Sequence, residues 1–225
     1  MTGAKERRSY DQRCALAQAL DVVGERWTLL IIRELLLRPR RYRELLDALP
    51  GIGTNLLADR LTFLVEYGIV APVDTARRTG GYALTELGER LRGPVLELAR
   101  FGLAYATVRP DAGGATTRPS WAILAVEAMV DAARAAAVDE AYEFDVEGEV
   151  FHVVVADGSV TVRPGPVAAP VLRTVTDAAT FFDLGLHRLD PLEAVLGKAV
   201  RVDGEPAAVL RCLRLLGLVP PDSKA

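Results

Sequence analysis

The sequence predicts an α+β protein in two domains. The first, over residues 1–109, is mostly helical with a short β-ribbon; the second, over residues 120–225, is an antiparallel sheet with helices. Three observations carry that prediction. Helical and strand-like periodicities follow one another in a different order in each half. The stretch RPDAGGATTRP at 109–119 has the composition of a linker, which places residues 110–119 between the domains. The charge is also divided: a formal net charge of −3 separates into +4 on residues 1–109 and −7 on residues 110–225. Only the first half therefore suits a polyanion.

In the first half, apolar residues recur at helical spacing from Cys14 to Leu37, with Gly24 interrupting, which predicts two helices or one bent one. Arg38 and Pro39 close that segment, and Tyr42 to Leu49 predicts a short helix with Leu45, Leu46 and Leu49 inward. Pro50 and Gly51 turn the chain into a helix from about Thr54 to Glu66, with Gly68 placed as its C-terminal cap. Strands near Ile69–Val73 and Gly81–Leu84 flank a tip carrying Arg77, Arg78, Thr79 and Gly80. Thr85 caps a last predicted helix through Leu103, with Leu87, Leu91, Val95, Leu98 and Phe101 on one face.

In the second half, a helix is predicted over Trp121–Val138 and strands near residues 141–146, 149–156 and 159–163, the last two joined by an Asp157-Gly158 hairpin signal. A fourth strand fits Val171–Val175 and a short one Ala199–Val202; helices fit Asp177–Leu186, Pro191–Leu196 and Glu205–Leu216.

Two short helices, a turn and a basic ribbon make a winged helix-turn-helix, the arrangement that lays one helix in a DNA groove. On the Thr54–Glu66 wheel, Leu57, Leu61 and Leu64 point inward while Thr54, Asn55, Ala58, Asp59 and Thr62 face outward. Asn55 suits an adenine edge or a phosphate, and the small Thr54 and Ala58 allow close approach and a methyl contact with thymine. Arg60 falls on the inner edge, where an internal ion pair or a phosphate contact is expected, and Asp59 either orients Arg60 or disfavours wrong sites. Arg38, Arg40, Arg41, Tyr42 and Arg43 sit before or at the opening of the preceding helix, where positive charge and a helix N-terminus suit phosphate. Arg77, Arg78 and Thr79 are the corresponding wing candidates, since a two-arginine hairpin tip has no packing reason to exist. For Trp27 and the leucine stripes, core packing is expected.

Catalysis is not expected. His152 and His187 are the only histidines, and no nucleophile elbow, phosphate loop or metal-spaced cluster occurs, so neither enzyme activity, a metal nor a cofactor is predicted. Cys14 and Cys212 lie far apart, which excludes a disulfide framework. The start lacks the apolar core of a signal peptide, and the run WTLLIIRELLL is broken by Arg33 and Glu34 and too short to span a bilayer. A cytoplasmic protein without membrane contact is expected.

Residues 10–105 resemble the HxlR family of winged helix-turn-helix regulators. The shared pieces are Cys14, GERWTLLII at 24–32, YREL at 42–45, LPGI at 49–52, NLL at 55–57, RL at 60–61, GIV at 68–70 and YALTELG at 82–88. The resemblance implies an obligate homodimer whose first and last helices form the dimer surface, each protomer presenting its third helix to half of a near-palindromic double-stranded operator. Some members use the early cysteine as a redox sensor. Here Ala15 follows Cys14 where the family often has proline, and a buried interface cysteine is the competing reading.

Residues 120–217 resemble the sterol carrier protein type-2 fold, through the order of elements, TDAATFFDLG at 176–185, PLEA at 191–194 and GKAVRVDG at 197–204. That resemblance implies a cavity for an apolar small molecule. Phe151, Val153, Val155, Phe181, Phe182, Leu184 and Leu186 are its candidate walls, with His152, His187 and Arg163 as polar anchors; the competing reading is a solid core. The expected function is a dimeric transcriptional regulator, a repressor, whose C-terminal domain binds an apolar effector. The alternative is a constitutive DNA binder whose C-terminal domain serves dimerisation or protein docking.

Overall fold

A computed structural model of the 225-residue chain describes residues 9–75, 78–108, 116–135 and 138–219. The chain divides into two compact units, Met1–Val95 and Leu96–Ala225, described separately here.

In the first unit, Gly24 to Trp27 separates helix α1 (Ala15–Val23) from α2 (Thr28–Leu37). The break has a backbone cause: Trp27 takes a φ of 78°, which no continuing α-helix allows. Strand β1 (Arg40–Arg41) then leads directly into α3 (Tyr42–Ala48), and Gly53 precedes α4 (Thr54–Glu66). Helix α3 opens with Glu44 accepting a hydrogen bond from the Arg41 backbone N–H at 2.7 Å. That bond, with Arg38 adding a further 3.1 Å contact, holds the Glu44 carboxyl below the usual carboxylate range against the opposing effect of burial. Helix α4 ends as predicted at Gly68, whose φ of +67° lets Ile69 N–H reach back to the Leu64 carbonyl.

The ribbon is longer than predicted. Strand β2 (Val70–Thr75) pairs antiparallel with β3 (Arg78–Leu84), and β1 adds to the far side of β3, giving a three-stranded sheet. Residues Ile31, Ile32, Leu35, Leu45, Leu57, Leu61, Leu64 and Val70 are buried and form the core of this unit. The predicted single helix after Thr85 is two helices, α5 (Glu86–Glu89) and α6 (Arg92–Val108). Thr85 caps the first of them as expected: its hydroxyl oxygen accepts from Gly88 N–H and its O–H donates to the Gly68 carbonyl, so the cap is also tied to the end of α4. The division between the units falls inside α6.

The second unit is a five-stranded sheet of order β6-β5-β4-β7-β8, built from β4 (Glu140–Val146), β5 (Glu149–Ala156), β6 (Ser159–Pro164), β7 (Leu172–Thr176) and β8 (Val200–Gly204). The meander and its hairpin follow the prediction, but the sheet is mixed and not purely antiparallel: β7 runs parallel to β4. The reason lies in residues 165–171, which carry the chain back from the edge strand β6 to the start of β4. Gly165 N–H bonds the Val150 carbonyl and Val171 N–H the Ala141 carbonyl, so β7 must re-enter in the direction of β4.

Helices α7 (Ala122–Met129), α8 (Ala178–Gly185), α9 (Pro191–Leu196) and α10 (Pro206–Leu215) complete the unit. Ala122 and Val126 of α7, Ala178 of α8, and Ala208, Cys212 and Leu215 of α10 share one core with Tyr142, Phe144, Val146, Phe151, Val153, Val155 and Leu172 of the sheet. Helix α7 is shorter than the predicted Trp121–Val138 span, because Val130 is extended and Asp131 caps a separate 3-10 turn at Ala132–Arg134.

Gly88 offers a direct check on the first unit. A Cβ there would stand 2.2 Å from the Ile69 carbonyl oxygen, whereas one on Gly93 meets nothing within 4 Å. Gly88→Ala is expected to cost about 1–3 kcal/mol, while Gly93→Ala, inside α6, leaves stability equal or raises it by up to about 1 kcal/mol. Thermal denaturation of the two variants reads the difference.

Candidate nucleic-acid interface and ligand cavity

The outward face of α4 is the predicted one. Thr54, Asn55, Ala58, Asp59 and Thr62 are exposed, while Leu57, Leu61 and Leu64 below them are fully buried. The start of this helix is braced from α3, because the Tyr42 hydroxyl donates to the Thr54 carbonyl at 2.6 Å. Tyr42, a candidate DNA contact, thus has a positioning task in the folded chain. Of the two contacts expected for Arg60, the structure shows the ion pair, with Glu25 at 3.2 Å, while Asp59 stays exposed on the outer face.

The arginines before α3 separate into two kinds. Arg43 is exposed and Arg41 half-buried, so both remain candidates for phosphate. Arg40 does not. It is only 8% exposed and its guanidinium meets Glu34 at 3.0 Å, while Glu34 itself is completely buried and also paired with Arg33 at 2.9 Å. A carboxylate inside the protein requires a cation, and that requirement takes Arg40 away from DNA. In the wing, Arg77 lies outside the described residues, as do the side chains of Arg78 and Thr79.

In the second unit an apolar cavity of about 300 Å³ exists, but not where the sequence reading put it. Phe151, Val153 and Val155 do not line it. They are 1–2% exposed and fill solid core, where Phe144 and Phe151 stack at 5.2 Å. The cavity lies instead against β7 and β8, with Leu172, Thr174, Val200 and Val202 on the sheet side and Met129 and Leu216 among the helical residues. Of the predicted walls only Phe181 and Leu184 line it; Phe182 and Leu186 do not. The period-two alternation of Leu172, Thr174 and Thr176 and of Val200 and Val202 was the available signal.

The predicted anchors are also elsewhere. His152 stands on the alternate face of β5, with Nδ1 2.8 Å from the Gly165 carbonyl, and its cross-strand neighbours are Arg163 and Glu143. Arg163 is exposed on edge strand β6. Glu143 is the buried member of this row, accepting from Val167 N–H at 2.9 Å and paired with Arg173 at 2.8 Å, so these groups hold the 165–171 crossing to the sheet. His187 lines a second, more polar cavity of about 390 Å³. Among the described residues, no group of acidic, histidine or cysteine side chains is arranged to hold a metal ion, and no helix is long and apolar enough to cross a membrane.

A short helix, a turn, a second helix with a polar outer face over buried leucines, and a β-ribbon behind it define a winged helix-turn-helix protein. The chain belongs to the HxlR-like helix-turn-helix transcriptional regulators, whose family model matches residues 22–109. It is 32% identical over 90 residues to the HTH-type transcriptional regulator YodB of Bacillus subtilis, spanning 37% of this chain and 76% of that one. It is 39% identical over 99 residues to the uncharacterized HTH-type regulator Rv3095 of Mycobacterium tuberculosis, covering 43% of this chain and 61% of that protein. Among solved structures, quinone-bound YodB from B. subtilis is similar at 31% identity over 39% of this chain and 93% of that chain, with a TM-score of 0.35.

The two cysteines have opposite settings. Cys14 is exposed in the single chain at the start of α1, where the nearby backbone N–H groups, that of Ala17 first and then that of Leu16, hold its thiol below the usual range. Cys212 is buried against the cavity, and burial, followed by the Glu140 carboxylate, pushes its thiol up to about 12. Iodoacetamide is therefore expected to label Cys14 in the native protein, with a rate that rises at lower pH than for a free cysteine, and to leave Cys212 unlabelled until denaturant is added. Mass spectrometry of the two peptides across a pH series reads both outcomes.

Proposed function

We propose that the chain acts as a homodimeric repressor that sets α4 of each protomer into one half of a near-palindromic DNA operator, and that its C-terminal unit is a sterol-carrier-like domain binding an apolar effector. The observation that carries the DNA reading is the outer face of α4. Thr54, Asn55, Ala58, Asp59 and Thr62 are all exposed, small or polar, over a leucine face that is fully buried. Such a helix can approach base edges without steric obstruction, and Asn55 is the side chain on it with paired donor and acceptor groups for an adenine. Arg41 and Arg43 flank it for phosphate.

Dimerisation is supported by apolar residues that one chain leaves uncovered. Leu16 and Leu20 are exposed on α1; Leu98, Phe101, Tyr105 and Val108 are exposed along α6 at the spacing of a single helical stripe. Effector binding is supported by the cavity beside β7 and β8. A ligand there regulates only if it binds the DNA-competent and incompetent states unequally. A second reading, thiol sensing, is favoured by the exposure of Cys14 and its lowered pKa.

Selection of bound sequences from a random duplex pool gives the operator and sets up the test. Asn55→Ala should then weaken operator binding about tenfold and relax the preference at one base pair. Arg43→Ala should weaken all sequences alike and reduce the slope of log affinity against log salt by about 1. An Asn55→Ala variant that reads the selected sequence as well as the wild type would remove α4 as the reading helix. For assembly, Phe101→Asp should sediment as a monomer at concentrations where the wild type is a dimer, and lose operator affinity with it.

A further inference from the structure

The two cavities of the second unit share three walls: Met129, Gly185 and Leu216. A Cβ built on Gly185 would stand 3.4 Å from the Met129 sulfur and 3.7 Å from its methyl carbon, so the thioether lies directly against this glycine between the two spaces. Methionine is unbranched and turns about three bonds, which makes it a movable partition where leucine or phenylalanine would be a fixed one.

The chemistry on the two sides differs. Among its described lining residues the inner cavity has no cationic side chain. Its charged wall residue, Asp190, is engaged in accepting from Leu192 and Glu193 N–H at 2.8 and 3.1 Å. Thr176 donates to the Ala199 carbonyl at 3.0 Å, and the Cys212 thiol is neutral at any ordinary pH. The outer cavity carries Arg100, Arg134 and His187 against one carboxylate, Asp131. Arg100 is held with its Nε donating to the Ala128 carbonyl at 2.8 Å and with Glu97 on Nη1. Arg134 pairs with Asp131 at 3.5 Å.

Arg134 also has a place built for it. A Cβ on Gly217 would fall 2.3 Å from its Nη1, so the guanidinium occupies the space that any other residue at 217 would need, and the φ of +71° there favours glycine independently. Arg100 and Arg134 both line the outer cavity and remain 41% and 46% exposed.

We propose that the two cavities form one amphipathic binding site for an apolar carboxylic acid, with its body in the inner cavity beside β7 and β8 and its carboxylate in the outer one between Arg100 and Arg134, Met129 swinging aside to join them. The proposal rests on the effector reading above and narrows its ligand class. An uncharged apolar molecule is satisfied by the inner cavity alone, whereas an anion finds its counter-charge, among the described lining residues, at the outer arginines. Pure cation binding is disfavoured by the same groups.

The test uses the full-length protein and a neutral fluorescent probe, N-phenyl-1-naphthylamine, to report occupancy of the inner cavity. Decanoate and 2-naphthoate distinguish chain from ring bodies, and methyl decanoate and methyl 2-naphthoate are their uncharged counterparts. At neutral pH at least one acid should displace the probe at a concentration at least about tenfold below that of its own ester. Arg100→Gln combined with Arg134→Gln should abolish that advantage and leave probe affinity within about twofold, which also shows that the variant is folded. Met129→Ala should retain the preference and speed probe entry. Equal displacement by each acid and its ester, or an acid advantage that survives loss of both arginines, overturns the carboxylate site and leaves the apolar cavity standing. A probe that does not bind the wild type at all overturns both readings.

Discussion

Much of the winged unit hangs on one buried carboxylate. Glu34 lies on α2 with no exposure to solvent, and an isolated charge there would be prohibitively costly. Arg33 and Arg40 neutralise it, and Arg40 is the first residue of β1. The ion pair therefore fixes where the chain leaves α2 and joins the sheet, with Arg40 opposite Tyr82 on β3. From that anchor α3 starts at Tyr42, and the Tyr42 hydroxyl in turn holds the first carbonyl of α4. Ribbon and α4 are thus oriented from the same point. An arginine that looks like a phosphate contact in a basic run instead sets the geometry in which its neighbours Arg41 and Arg43 are offered.

The second unit is organised by a different constraint. Bringing β7 in parallel beside β4 requires the 165–171 segment to cross the sheet, and that segment is secured by the Gly165, Val167 and Val171 hydrogen bonds and the buried Glu143. The opposite face receives the helices. Where Ala122 of α7 meets Phe151, Val153 and Val155 of β5, packing is solid. Over β7 and β8 the walls come from α8, α9, α10 and the residues after it, and they leave a space of about 300 Å³. On that one face the core is filled over β5 and hollow over β7 and β8.

Much of the local structure was legible in the residues. The leucine spacing at 57, 61 and 64 gave α4 its inner face, Gly68 its end, and Asp157-Gly158 the β5–β6 turn, because each depends on neighbours a few positions away. The candidate site was legible in part for the same reason. The exposed polar face of α4 follows from periodicity, whereas the loss of Arg40 to Glu34 and the pairing of Arg60 with Glu25, 35 positions away in sequence, depend on how distant segments meet.

The cavity walls show the limit most clearly. Phe151, Val153 and Val155 and the residues Leu172, Val200 and Val202 carry the same alternating apolar pattern, yet the first set is core and the second borders a cavity. Periodicity records which face of a strand is turned from water, and it does so correctly for both. The sequence by itself determined the family, the α4 helix with its polar outer face and most of the strands, all of which are written in local spacing. Only the tertiary structure decided that Arg40 is taken up by Glu34, that the sheet is mixed, and over which strands a space remains. Those outcomes depend on whether helices far along the chain close over a surface or stop short of it.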